Sequence, residues 1–91
     1  MKNKLIEYRK EIDRVDKSIL DLLIKRLNIV KKIGKYKAKT NIKIQNKKRE
    51  AQILKRVADK SGKNKINKEY TKSIFKSILE NSRGIQKNNM R

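Results

Sequence analysis

The chain has no cysteine and no histidine. That removes disulfide bonds, thiolate nucleophiles and imidazole bases together, and with them the usual zinc ligands. Proline and tryptophan are also absent, and only three glycines occur in 91 residues, so long helices meet few breakers. Aromatic side chains number four, three tyrosines and one phenylalanine, too few for a platform on which bases could stack. Acidic residues are scarce, nine against 28 lysines and arginines. Lys2 and Lys4 stand at the N-terminus without an apolar run behind them. No signal peptide and no transmembrane span are expected, and a cytoplasmic protein follows.

What is present is a pattern. From Leu5 to Lys39 the sequence forms heptads with two apolar columns, one of Leu5, Ile12, Ile19, Arg26 and Ile33, the other of Tyr8, Val15, Leu22, Ile29 and Tyr36. Nine of those ten positions carry a large apolar or aromatic side chain, at the three- and four-residue spacing of a helix that packs along its length. Only Gly34 weakens the run, by roughly 1 kcal/mol relative to alanine. The tenth position, Arg26, puts a permanent cation in an apolar seam, where an anion is expected to meet it.

A helix of this length is a rod of about 50 Å, against a radius of gyration of about 13 Å for a compact domain of similar size. With 35% hydrophobic residues the chain has little to cover such a seam alone. Its other helices are expected to fold along the rod, and a second copy to share the seam. The formal charge of +19 has two readings, a polyanionic partner or a compositional bias toward Lys, Asn and Ile. Lysine outnumbers arginine 21 to 7, whereas phosphate and base readers lean on the arginine fork. The lysines also surround every helix instead of marking one face, which argues against nucleic acid as partner.

After the rod, Thr40 to Lys48 reads as a connection, with Ile42 and Ile44 placed to tack it down. Asn46 is an N-cap candidate for a second helix over residues 47–60, with Ile53, Leu54, Val57 and Ala58 as its apolar face. Ser61-Gly62-Lys63-Asn64 is a turn signal. Asn67 caps a third helix reaching residue 86, with a stripe of Tyr70, Ile74, Phe75, Ile78 and Leu79 that continues into Ser82, Ile85 and Gln86. Residues 87–91 read as a frayed tail. The fold class is all-α, with a long first helix, a short second and a medium third.

Several polar residues occupy positions where apolar ones belong. Arg26 and Lys37 are three helical turns apart on one side of the rod, about 16 Å at the backbone. Arg9 lies about 25 Å from Arg26, out of reach within one chain, but an antiparallel second rod brings the partner's Arg9 close. Ser82 and Gln86 add hydrogen-bonding groups to the third helix, and Arg49 and Glu50 stand in the first turn of the second. Singly, each has a plain explanation: a seam arginine more often pairs with a carboxylate, and charges in a first turn are usually surface charges. Together they describe a helix-lined pocket of cations, one carboxylate and neutral donors. It has no nucleophile–base pair and no metal cluster. Such a pocket suits a small dianion and acts only through electrostatics and positioning.

The segment Tyr8-Arg9-Lys10-Glu11-Ile12-Asp13-Arg14-Val15-Asp16 resembles the opening of the all-helical (AroQ-type) chorismate mutases. So do Leu22-Leu23-Ile24-Lys25-Arg26, Ile33-Gly34-Lys35-Tyr36-Lys37, Arg49-Glu50, and Glu80-Asn81-Ser82 with Gln86, in that order and with the spacings kept. The resemblance implies an intertwined homodimer of three-helix chains with two shared sites. It implies rearrangement of chorismate to prephenate for phenylalanine and tyrosine biosynthesis, with no cofactor and no covalent intermediate. Carried over by position, Arg26 and the partner's Arg9 clamp the two carboxylates, and Lys37 and Gln86 donate to the ether oxygen. Glu50 accepts from the ring hydroxyl, while Arg49 and Ser82 complete the carboxylate shell. One position departs: the family commonly has aspartate where this chain has Asn46, whose amide oxygen can still accept a hydrogen bond. An isochorismate pyruvate lyase of the same fold is the alternative, and Glu50 weighs against it. A non-enzymatic basic helical module that binds nucleic acid is the reading from a different class.

Overall fold

Asn3 opens the first helix. Its side chain accepts from the backbone N–H of Leu5 at 2.9 Å, satisfying one of the donors that a helix start leaves free. The computed structural model describes residues 3–88. Helix α1 runs unbroken over Lys4–Thr40, and its 37 residues make a rod of about 55 Å. It stops at Asn41, which takes the left-handed conformation (φ 57°), while the N–H of Ile42 reaches back to the carbonyl of Lys37 at 3.1 Å. Asparagine tolerates that conformation better than most side chains, which is why the chain turns there.

Helix α2 spans Lys47–Lys63 and α3 spans Lys68–Asn88. Both begin on asparagines that cap them. Asn46 Oδ1 accepts from the N–H of Arg49 at 3.0 Å, and Asn67 Oδ1 accepts from Glu69 and Tyr70 at 2.9 and 3.1 Å. The protein is all-α, with three helices and no strand among the described residues. None of those helices is long and apolar enough to cross a membrane.

Two boundaries differ from the expectation. Ser61-Gly62-Lys63 is not a turn but the last part of α2. Gly62 keeps helical geometry, and the positive φ of the turn falls on Lys65 (57°). There the N–H of Ile66 bonds Ser61 O at 2.9 Å and the N–H of Lys65 bonds Gly62 O at 3.3 Å, the paired closure of a helix end. Ser61 itself is buried, sharing a 2.6 Å hydroxyl contact with Thr71 that ties the end of α2 to the start of α3. At the C-terminus, Lys87 and Asn88 remain helical, and the rest of the expected frayed tail lies outside the described residues.

Helix α3 packs against both other helices, and α1 and α2 do not pack on each other. The Cα framework measures 62 × 26 × 13 Å, only one layer of helices thick. A helix layer has to bury its apolar face against a second layer, and one chain does not supply it. Val30 and Leu79 are the only large apolar side chains counted as buried among the described residues. The heptad seam lies open: Ile12, Leu22 and Tyr36 are 59, 65 and 63% exposed. All of residues 3–25 are exposed, so the first half of α1 is an arm that extends past the other helices.

Candidate active site

Beyond that arm, α1 turns toward its neighbours. Arg26, Val30, Ile33 and Lys37 recur at intervals of three and four, so they form one stripe down the helix. Helix α2 presents Arg49, Glu50 and Ile53 just after its cap Asn46, and α3 presents Leu79, Ser82, Arg83 and Gln86. These three stripes, with Ile44 from the linker, enclose a cleft of about 170 Å³. Pockets for drug-sized ligands usually run from about 300 Å³ upward, so this cleft suits a small metabolite. Val30, Ile33, Ile44, Ile53 and Leu79 give it an apolar lining. Four cations, Arg26, Lys37, Arg49 and Arg83, face a single carboxylate, that of Glu50.

Each polar group is held by something specific. Arg26 donates from Nη1 to the Ser82 hydroxyl across the α1–α3 contact, and Ser82 Oγ donates in turn to the carbonyl of Ile78 at 2.8 Å. The seam position of Arg26 suggests an anionic partner; among the described residues the fold gives it a serine oxygen. Among the described residues, neither Arg26 nor Lys37 forms an ion pair. Both cations therefore keep their charge available inside a half-buried wall, where it is screened less than on the surface. Lys37 Nζ donates to the carbonyl of Ile44 at 2.7 Å, which fixes the ammonium at one end of the cleft and leaves it two further protons.

Gln86 is buried at 7% exposure, and its Oε1 finds no donor among the described residues. An unsatisfied buried acceptor costs about 1–3 kcal/mol, so this oxygen calls for a donor, water included, that the described residues do not supply. Asn46 sits on the rim with its Oδ1 committed to the cap.

Seven of the eight site residues read from the sequence thus line one cleft. Arg9 does not join them; it stands on the exposed arm of α1. Two participants escaped the sequence reading. The Ile44 carbonyl is a backbone group and carries no side-chain signal. Arg83 did carry one: it lies four residues after Leu79 and three before Gln86, on the same face of α3. Its Nη1 donates to Glu50 Oε1 at 2.6 Å.

The chain is similar to known proteins along most of its length. A conserved hypothetical protein from Pyrococcus furiosus superposes with a TM-score of 0.75 and 38% identity, covering 94% of this chain and 99% of that one. The chorismate mutase of Methanocaldococcus jannaschii is 30% identical over 87 residues, 96% of this chain and 88% of its own length. The bifunctional chorismate mutase/prephenate dehydratase of Buchnera aphidicola subsp. Schizaphis graminum is 37% identical over 81 residues, 89% of this chain. This chain spans only 21% of the length of that bifunctional protein. The family described as chorismate mutase type II matches residues 8–87, from the tyrosine that opens the first motif to one residue past Gln86. By that match and by the relative it parallels along nearly its whole length, the chain belongs to the chorismate mutase type II family.

Proposed function

We propose that the protein is a chorismate mutase, converting chorismate to prephenate in a homodimer whose two clefts each draw on both chains. One observation carries this reading: three helices bring Arg26, Lys37, Arg49, Glu50, Ser82 and Gln86 to one small cleft that holds no nucleophile–base pair. Chorismate is a dianion that rearranges within itself, one C–O bond breaking as one C–C bond forms, with no proton gained or lost. The work left for a protein is to fold the side chain over the ring and to stabilise charge that grows on the departing ether oxygen.

Arg26, already oriented by Ser82, takes one carboxylate, with Arg49 completing its shell. The partner's Arg9 takes the other, and the two together hold the reactive conformation. Lys37 donates to the ether oxygen as it turns negative, from an ammonium whose position the Ile44 carbonyl fixes. The Gln86 amide, buried in the same cleft, offers its N–H groups to the same atom. Glu50 accepts from the ring hydroxyl.

Support for the dimer comes from the open seam. Burying a large apolar side chain contributes about 1.5–3 kcal/mol, and the arm of α1 leaves Leu5, Tyr8, Ile12, Val15, Ile19 and Leu22 all exposed. Arg9 lies on that same arm. Two antiparallel α1 helices cover each other's seams and carry each Arg9 toward the opposite cleft.

The test is turnover of chorismate by the purified protein, with the product identified chromatographically. Prephenate supports the reading. Inertness toward chorismate combined with release of salicylate from isochorismate would assign the cleft to the lyase reaction, and inertness toward both would refute an enzymatic role.

A further inference from the structure

Arg83 is the one charged residue of the cleft that the family resemblance leaves without a task. It joins α3 to the first turn of α2 through the 2.6 Å bond from its Nη1 to Glu50 Oε1. Both side chains are mostly withdrawn from solvent, 28 and 21% exposed, and charge-assisted bonds of this length are roughly twice as strong as neutral ones. We infer that Arg83 is a positioning residue for the mutase reaction. It holds one oxygen of Glu50 so that the other faces the substrate's ring hydroxyl in a fixed orientation. This rests on the role proposed above for Glu50.

Two physical arguments lead there. An unrestrained glutamate loses rotamer freedom each time it binds a ligand; the ion pair takes that loss during folding and leaves the acceptor preorganised. The second concerns competition. Glu50 shares the cleft with Arg26, Lys37 and Arg49, the cations that a dianionic substrate needs. A free carboxylate there would pair with one of them and quench it. Arg83 draws Glu50 to the α3 side instead, and among the described residues Arg26 and Arg49 are left without an ion pair. The extra arginine thus keeps the only carboxylate of the cleft from occupying the anion site.

The alternative is that the pair merely braces α2 against α3. Kinetics of the purified protein with chorismate separate the two, using Glu50→Ala, Arg83→Ala, Arg83→Lys and the double variant. Glu50→Ala is expected to lower kcat/KM by about tenfold or more, and Arg83→Ala by about five- to tenfold. Arg83→Lys should recover most of that loss, because lysine still offers a cation to Oε1. In the Glu50→Ala background, Arg83→Ala should change kcat/KM by less than about twofold, since a positioning residue has nothing left to position. An Arg83→Ala loss of the same size in both backgrounds overturns the inference and makes Arg83 an independent binder; equal losses in Arg83→Ala, Glu50→Ala and the double variant, with an equal fall in melting temperature in each, overturn it in favour of a brace. An Arg83→Ala enzyme within about twofold of the parent while Glu50→Ala is impaired overturns it as well. If Glu50→Ala itself is silent, the proposed role of Glu50 fails and this inference with it, a result distinct from the others. Should Arg83→Ala lose its helical circular dichroism, Arg83→Gln, which keeps the aliphatic stem and drops the charge, takes its place under the same expectations.

Discussion

Lys37 donates from its ammonium nitrogen to the carbonyl oxygen of Ile44 at 2.7 Å, tying the last turn of α1 to the linker that leads into α2. One contact therefore has two consequences. It fixes the linker against the rod, and it sets the position of the charge proposed to meet the ether oxygen. The two can be pulled apart by substitution.

Lys37→Ala removes both the tie and the charge, whereas Lys37→Gln keeps a donor long enough to approach the carbonyl and removes only the charge. A lost hydrogen bond of this kind costs about 0.5–1.5 kcal/mol of stability, so the alanine variant should melt a few degrees lower and the glutamine variant less so. Both should lose about a hundredfold or more in kcat with a smaller change in KM, because the charge matters most in the transition state. A glutamine variant with parental kcat would reduce Lys37 to a structural tie.

The seam makes a prediction about assembly. Sedimentation equilibrium at micromolar concentration should give twice the mass of the chain, and Leu22→Glu, at the most exposed position of the seam, should shift it toward monomer. A charge buried without a partner costs several kcal/mol, comparable with the whole stability of a small domain. The helical signal should fall together with the dimer. A well-folded monomer of the parent chain at that concentration would contradict the shared-seam reading.

Much of this was readable in the chain. Cap asparagines at 46 and 67 begin their helices as the spacing predicts, because a short side-chain acceptor next to free N–H groups is a local cause with a local effect. The Ser61-Gly62 turn misled for the same kind of reason. Glycine at a helix end signals a positive φ, yet Ser61 gains a buried partner in Thr71, and that contact rewards one more turn of α2 before Lys65 takes the strained position. The pairings inside the cleft were out of reach. Arg26 and Ser82 are 56 residues apart, Glu50 and Arg83 are 33 apart, and no periodicity within a helix encodes which residues meet across two of them. The seam pattern accordingly gives no sign of the serine that orients Arg26.

If Arg9 acts across the dimer, complementation should reveal it. Arg9→Ala and Arg26→Ala homodimers each have two damaged sites and should both be inactive. Refolded together, they form heterodimers in which one cleft lacks both arginines and the other is intact. Activity on mixing should approach about a quarter of the parental value, since random pairing makes half the dimers mixed and each has one working site of two. No recovery, with heterodimer shown to form, would place Arg9 outside the site.

Asn46 is where the sequence resemblance departs, and the cap geometry sharpens what should follow. Its Oδ1 is already engaged by the N–H of Arg49 at 3.0 Å, so the amide's other atom, a nitrogen, is the one left to turn toward the cleft. Asn46→Asp replaces that donor by a second acceptor. Asparagine and aspartate cap about equally well, so stability should stay within a few tenths of a kcal/mol. For catalysis two effects oppose. A carboxylate oxygen there accepts from the substrate hydroxyl where the amide nitrogen cannot, yet it adds negative charge near a dianion. Four cations line the cleft and only Arg83 is paired, which leaves three to absorb the repulsion. The gain should therefore win narrowly, raising kcat/KM a few-fold, or about 1 kcal/mol. Asn46→Ala should cost about 1 kcal/mol through the lost cap and lower activity as well. Steady-state kinetics beside thermal unfolding decide the matter: an alanine variant that melts earlier but turns over chorismate at the parental rate would leave Asn46 as a cap alone.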